Sequence, residues 1–292
     1  MTAHPAAGAL ARMMAALPGH THLWQRDDAA AATLPGYTVE VHLRDPSRLV
    51  VCFDSRAESY DPSQTRPAWA YGFLEKRGLS AVHVKPDQSC WYRQSQVADL
   101  LNAARDAGLF AAFDTVMTYG GSMGGFGALS FAATVQATTC LALNPQANLG
   151  PDVRDWETRY REALDQDWTG PLCDLGTTTA TTANVICVLD PRYMPDRRQV
   201  ELINNPNMTR LHIPFVRHRI PAHINALQML KQLFADSLAG QVDPVWFRTQ
   251  ARRRRTLLRY RNEMLRRTED HPTRRARLER LLPPEDGLLG GP

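Results

Sequence analysis

The 292-residue sequence predicts an α/β protein built on a mostly parallel sheet with helices on both faces. Short, continuously apolar runs alternate with segments of helical periodicity, the pattern of strands buried on both faces and joined by crossover helices. The composition, 43% hydrophobic and 22% charged, supports a sizeable core and excludes a disordered chain. Nowhere is there a run of roughly 18 uninterrupted apolar residues, the length a membrane-spanning helix needs.

Residues 1–36 are expected to hold an N-terminal helix and a first strand region. The segment 6–17 is small and apolar, but Arg12 interrupts it and no Lys or Arg precedes it, so an amphipathic helix is expected rather than an export signal. The core is expected over 37–240. Residues 37–43 alternate through Val39, Val41 and Leu43 as a half-exposed strand, whereas 49–53, 80–84, 115–119, 139–143, 185–189 and 211–216 suit central strands. Helical spacing falls at 69–77, 94–107, 123–135, 199–204 and 223–239; Val97, Leu100, Leu101 and Ala104, for example, share one face. Residues 148–182 are long for a simple connection and contain a charged helical piece at 152–165 and a Thr-rich run at 177–182. A cap-like insertion over a site is expected there.

An Arg-rich helical extension is expected over 241–292. Pro244 opens a helix in which Phe247, Ala251, Leu258 and Leu265 form an apolar stripe, and a second helix at 273–282 is stopped by Pro283 and Pro284. From Trp246 onward there are 13 arginines against 6 acidic residues, a net of +7, so the rest of the chain is net −3. Aromatic interleaving is limited to Trp246, Phe247 and Tyr260, which favours a docked, solvated helical face over a nucleic-acid surface; an acidic partner at this extension stays open. Five cysteines, Cys52, Cys90, Cys140, Cys173 and Cys187, are odd in number and lack C-x-x-C spacing. A reducing, cytoplasmic compartment and no metal site are expected.

The most informative stretch is Tyr119-Gly120-Gly121-Ser122-Met123-Gly124-Gly125-Phe126-Gly127-Ala128. It places Gly120-x-Ser122-x-Gly124 directly after an expected strand and directly before an expected helix, where a very sharp turn would lift the serine hydroxyl above the sheet. The free N–H groups of the following helix suit a developing oxyanion. A dinucleotide-binding loop is the competing reading, but the glycines do not give G-x-G-x-x-G with an acidic residue about 20 positions on.

This stretch resembles the nucleophile elbow of α/β-hydrolase fold serine hydrolases, and the order of elements agrees with that family over roughly 37–239. The resemblance implies an α/β-hydrolase-like fold and a triad in chain order Ser, acid, His. Ser122 would be the nucleophile. The acid should follow the run 184–189, where Asp190 opens Asp190-Pro191-Arg192-Tyr193-Met194-Pro195-Asp196; Asp190 is preferred, and Asp196 is the alternative, with a competing reading as a helix N-cap. The histidine should follow 211–216. His223, at the mouth of the final expected helix, is preferred over His218, which lies between Arg217 and Arg219; His212 lies within the strand.

The resemblance also implies an oxyanion hole from the N–H of Met123 and one from the loop after residues 49–53, with Ser55 preferred and Arg56 also eligible. Many relatives show His-Gly where this chain has Asp54-Ser55, and a carboxylate there would repel an oxyanion unless it points away. Trp91 and Tyr92 could form a substrate wall or pack on the elbow helix, and Gln146 could touch the pocket. The expected function is cleavage of a carboxylic ester, small or glycan-linked, through an acyl-enzyme and without a cofactor. Acyl transfer by the same triad, and a non-catalytic hydrolase-like scaffold binding through its basic extension, are the alternatives.

Overall fold

A computed structural model describes residues 3–17, 19–61, 63, 65–284 and 287–289. One sheet contains β1 (Thr21–Gln25), β2 (Ala29–Leu34), β3 (Tyr37–His42), β4 (Arg48–Phe53), β5 (Ser80–Pro86), β6 (Thr115–Gly121), β7 (Thr139–Leu143), β8 (Asn184–Leu189) and β9 (Thr209–His212). Their order is β1-β2-β3-β5-β4-β6-β7-β8-β9. The pairs β1/β2, β2/β3 and β3/β5 are antiparallel, and every pair from β5 through β4 to β9 is parallel.

Continuous apolar runs end up where both faces are covered: β5 and β7 are buried at every residue. The alternation of side chains divides the core in two. Val51, Phe53, Val82 and Val84 point into one apolar cluster with α1 (Ala7–Ala16), α3 (Ser95–Asp106) and α4 (Met123–Ser130). Val50, Cys52 and Ala81 point into the other, against α2 (Tyr71–Glu75), α7 (Ile220–Ala226), α8 (Leu230–Leu238) and α9 (Pro244–Ala251). The edge strand β1 is exposed throughout, and its register breaks between His22 and Trp24, which interrupts the edge as a template for further pairing.

Three differences from expectation bear on the site. The last strand occupies Thr209–His212 rather than 211–216, because Pro214 cannot donate to a ladder and Phe215 (φ 67°) and Arg217 (φ 58°) turn the chain left-handed. The helix expected from 223 begins at Ile220, and Gln228 (φ 58°) separates α7 from α8. The charged piece at 152–165 forms 3₁₀ turns at Pro151–Val153 and Arg161–Asp165 instead of one α-helix, anchored by the buried side chains of Glu157, Tyr160 and Trp168. After it come α5 (Leu175–Thr178) and α6 (Met194–Glu201).

In the C-terminal extension, α9 packs on the sheet beside β9 together with the start of α10 (Leu258–Arg266), and α11 (Pro272–Leu281), which buries no residue, lies against α10. Phe247, Ala251, Leu257 and Tyr260 join the apolar cluster of α7 and α8. Buried Glu263 accepts hydrogen bonds from Arg266 and Arg267, so part of the arginine excess is paired internally. No helix among the described residues is long and apolar enough to cross a membrane.

Phe247 is 1% exposed in this shared core. Replacing it with Ala should cost about 3–5 kcal/mol of unfolding free energy, read from the denaturant midpoint at constant slope. A loss under about 1 kcal/mol would mean that the extension is not part of the folding unit.

Candidate active site

Strand β6 ends at Gly121 and α4 begins at Met123, so Ser122 alone makes the turn, at φ 55° and ψ −119°. A side chain at Gly120 would place its Cβ 2.1 Å from the Gly124 carbonyl oxygen, and one at Gly124 would lie 2.1 Å from that of Phe53. Both glycines are thus required by backbone contact. The Ser122 N–H donates to the Leu143 carbonyl at 2.9 Å, tying the turn to the end of β7. The Met123 N–H, at the start of a fully buried helix, has no partner among the described residues.

The loop after β9 carries His218 to this turn. Its Nε2 lies 2.9 Å from Ser122 Oγ, and its Nδ1 lies 2.8 and 2.9 Å from the two carboxylate oxygens of Asp196. Asp196 sits in the first turn of α6, fully buried, and makes no capping hydrogen bond to that helix. Arg159 Nη1 donates to Asp196 Oδ1 at 2.7 Å and is itself ion-paired to buried Glu157. Burial opposes the Arg159 charge, but the Glu157 and Asp196 carboxylates prevail and raise its pKa.

The structure thus brings Ser122 together with His218 and Asp196, and not with His223 and Asp190, the residues preferred from the sequence. Because α7 starts at Ile220, His223 lies inside it, 2% exposed, beside Ile220 and Ile224 in the apolar cluster. Its ring nitrogens have no hydrogen-bond geometry to any partner among the described residues. Burial, then the charges of Arg259 and Arg219, depress its pKa to about 4, with the Val216 carbonyl pulling weakly the other way. Asp190 does stand at the end of β8, but its carboxylate accepts the backbone N–H groups of Arg192 (2.8 Å) and Arg217 (2.7 Å). It fastens the His218 loop to the sheet without touching the ring.

Ser55, expected in the oxyanion hole, has its N–H engaged by Glu58 Oε2 at 3.0 Å, and its hydroxyl bonds the same carboxylate. The Glu58 carboxylate, at the start of the short turn Glu58–Tyr60, therefore occupies the donor that Ser55 was expected to supply. The next N–H along, that of Arg56, has no partner among the described residues. Asp54 is buried and turned away: it pairs with Arg66 and accepts the Trp69 N–H at 2.9 Å. Burial lifts its pKa to about 6 in spite of Arg66.

Trp91 and Tyr92 are fully buried and lie behind the site rather than forming its wall. The Tyr92 ring packs on the elbow helix, 2.8 Å from where a Cβ on Gly127 would be, and its hydroxyl donates to the Asp54 carbonyl at 2.6 Å. Trp91 Nε1–H donates to Gln146 Oε1 at 3.1 Å. Gln146 Nε2 lies 3.1 Å from Ser122 Oγ and 3.2 Å from the Tyr160 hydroxyl, which is 3.0 Å from His218 Nε2. Burial keeps Tyr160 neutral by raising its pKa. Glu157, Arg159 and Tyr160 were not singled out in the sequence; the only signal was that their segment is too long for a connection. A cavity of about 330 Å³ opens on Ser122 and His218 between Trp69, Tyr160 and Pro221, with Arg56, Glu58 and Arg219 also on its wall.

No family model matches the chain, and no curated protein sequence matches it. Solved structures do resemble it. The capsule O-acetyltransferase of Neisseria meningitidis serogroup A is 12% identical at a TM-score of 0.49, over 70% of this chain and 94% of its own. FphF, a fluorophosphonate-binding serine hydrolase of Staphylococcus aureus, is 13% identical at 0.46, over 77% and 99%. Est1E from Butyrivibrio proteoclasticus is 14% identical at 0.42, over 73% and 99%. The mostly parallel sheet, the elbow and the helices on both faces make the fold of this chain α/β-hydrolase-like.

The depressed pKa of His223 gives a test of its burial. The unfolded chain takes up this proton near pH 6.5 and the folded chain only near 4, so stability falls as pH drops through that window. The melting temperature of a His223→Leu variant should therefore fall less than that of the parent between pH 7.5 and 4.5. An identical fall in both proteins would show that His223 is not held neutral.

Proposed function

We propose that this protein is a serine hydrolase that cleaves a carboxylic ester through an acyl-enzyme on Ser122. The observation that carries the reading is the unbroken line from Asp196 through His218 to Ser122 Oγ, at 2.8 and 2.9 Å, ending on a strained elbow beside a cavity. Ser122 Oγ attacks the acyl carbon as His218 Nε2 takes the hydroxyl proton. Asp196 holds the tautomer with the proton on Nδ1 and stabilises the imidazolium, supplying the negative charge that flanking Arg217 and Arg219 do not. The N–H groups of Met123 and Arg56 are the donors proposed for the oxyanion, in place of Ser55. Collapse expels the alcohol, which receives the proton from Nε2; water then enters, gives a proton to Nε2 and releases the acid, and Ser122 regains its proton. Each group has a role that a non-catalytic scaffold would not need.

A fluorophosphonate probe should label Ser122 and nothing else. Ser122→Ala and His218→Ala should each lower kcat for p-nitrophenyl acetate on the order of 10⁴-fold, with His223→Leu close to the parent. Undiminished labelling of His218→Ala, or label on another residue, would overturn the assignment.

A further inference from the structure

We propose that the Tyr160 hydroxyl, set in place by Gln146, holds the oxygen that enters and leaves the acyl-enzyme, so that the 148–182 insertion carries the acceptor subsite. This inference rests on Ser122 as the nucleophile. In the resting protein two hydroxyls approach the single lone pair of His218 Nε2: Ser122 Oγ at 2.9 Å and Tyr160 at 3.0 Å. Once Ser122 is acylated, its oxygen has no proton to give. The proton must then come from an incoming O–H lying beside both Nε2 and the acyl carbon, and Tyr160 already borders that place.

Gln146 settles which way the phenol points. Trp91 Nε1–H can only donate, so Gln146 Oε1 must face it, and the amide NH₂ is turned toward Ser122 Oγ and Tyr160. With its oxygen accepting from Gln146, Tyr160 directs its own proton toward His218 Nε2 in the resting protein, and that proton passes to the acceptor oxygen once the acceptor's O–H occupies the Nε2 lone pair. The ring is held by edge contact with Trp91 at 5.3 Å, and the Arg56 and Arg159 guanidinium groups lie 5.6 and 5.0 Å from its centre.

The step balances. The acceptor, water or an alcohol, receives a hydrogen bond from Tyr160, its oxygen bonds to the acyl carbon, and its O–H bond breaks to His218 Nε2. The Ser122 Oγ–C bond then breaks, and Oγ takes the proton back from Nε2. The alcohol departing during acylation leaves through the same place in reverse. Tyr160 therefore matters most for poor leaving groups, for deacylation, and for the choice between water and an alcohol.

The test compares Tyr160→Phe with the parent. Fluorophosphonate labelling, whose fluoride needs no acceptor site, should stay within about 3-fold, while steady-state turnover of p-nitrophenyl acetate falls by about 30-fold or more. Acetylated Ser122 should accumulate in intact mass spectra of the variant, and added glycerol should change the ratio of transfer to hydrolysis. Labelling and turnover falling together would make Tyr160 a prop for His218 and overturn the proposal, as would turnover unchanged. As a second measurement, acylation rates across acetate esters of decreasing leaving-group acidity should fall more steeply in the variant; parallel slopes overturn it. If the parent itself is not labelled, the nucleophile assignment fails instead.

Discussion

The backbone of Ser122 is the constraint on which the site is built. A serine at φ 55° and ψ −119° costs about 1–3 kcal/mol and persists only where its surroundings leave no alternative. They leave none. The bond from its N–H to Leu143 fixes the turn to β7, and the glycines on either side let α4 close against the turn and against the end of β4. The burial of all eight residues of α4 offsets the strain. Three strand ends and a helix N-terminus therefore converge on one hydroxyl, and every other group of the site is placed relative to it.

Burying a carboxylate beside that hydroxyl requires compensation, and the chain supplies it by alternating charges. Asp196 is fully buried between His218 and Arg159, and Arg159 is neutralised in turn by Glu157. A lone buried Asp196 would be strongly destabilising, whereas the paired row is tolerated and keeps the histidine in one orientation. Two of the row's members, Glu157 and Arg159, come from the segment between β7 and β8.

The first turn of α6, which bears Asp196, and the loop that bears His218 are braced from behind. Asp190 ties Arg217 to β8, Arg267 of the extension donates to the Arg192 carbonyl at 3.1 Å, and its guanidinium lies 5.1 Å from the Phe215 ring. Phe215 also meets Tyr260 at 6.1 Å. The arginine-rich extension thus supports both elements through packing and a hydrogen bond to a backbone carbonyl.

The mostly parallel sheet and the elbow are legible in the amino-acid sequence. Both follow from short-range rules: continuous apolar runs need cover on two faces, and a turn of this tightness admits only glycine at 120 and 124. Asp196 and His218 were visible there only as second choices, and Tyr160 not at all. Which acid and histidine reach Ser122 was decided by tertiary structure, because it depends on β9 ending at His212 and α7 beginning at Ile220, boundaries set by left-handed residues and by Asp190 holding the loop. Helical periodicity around 223 was real, but the same periodicity that starts a helix early turns His223 inward. Contacts between residues far apart in the chain, such as Arg159 with Asp196 or Tyr160 with His218, leave no local pattern to read.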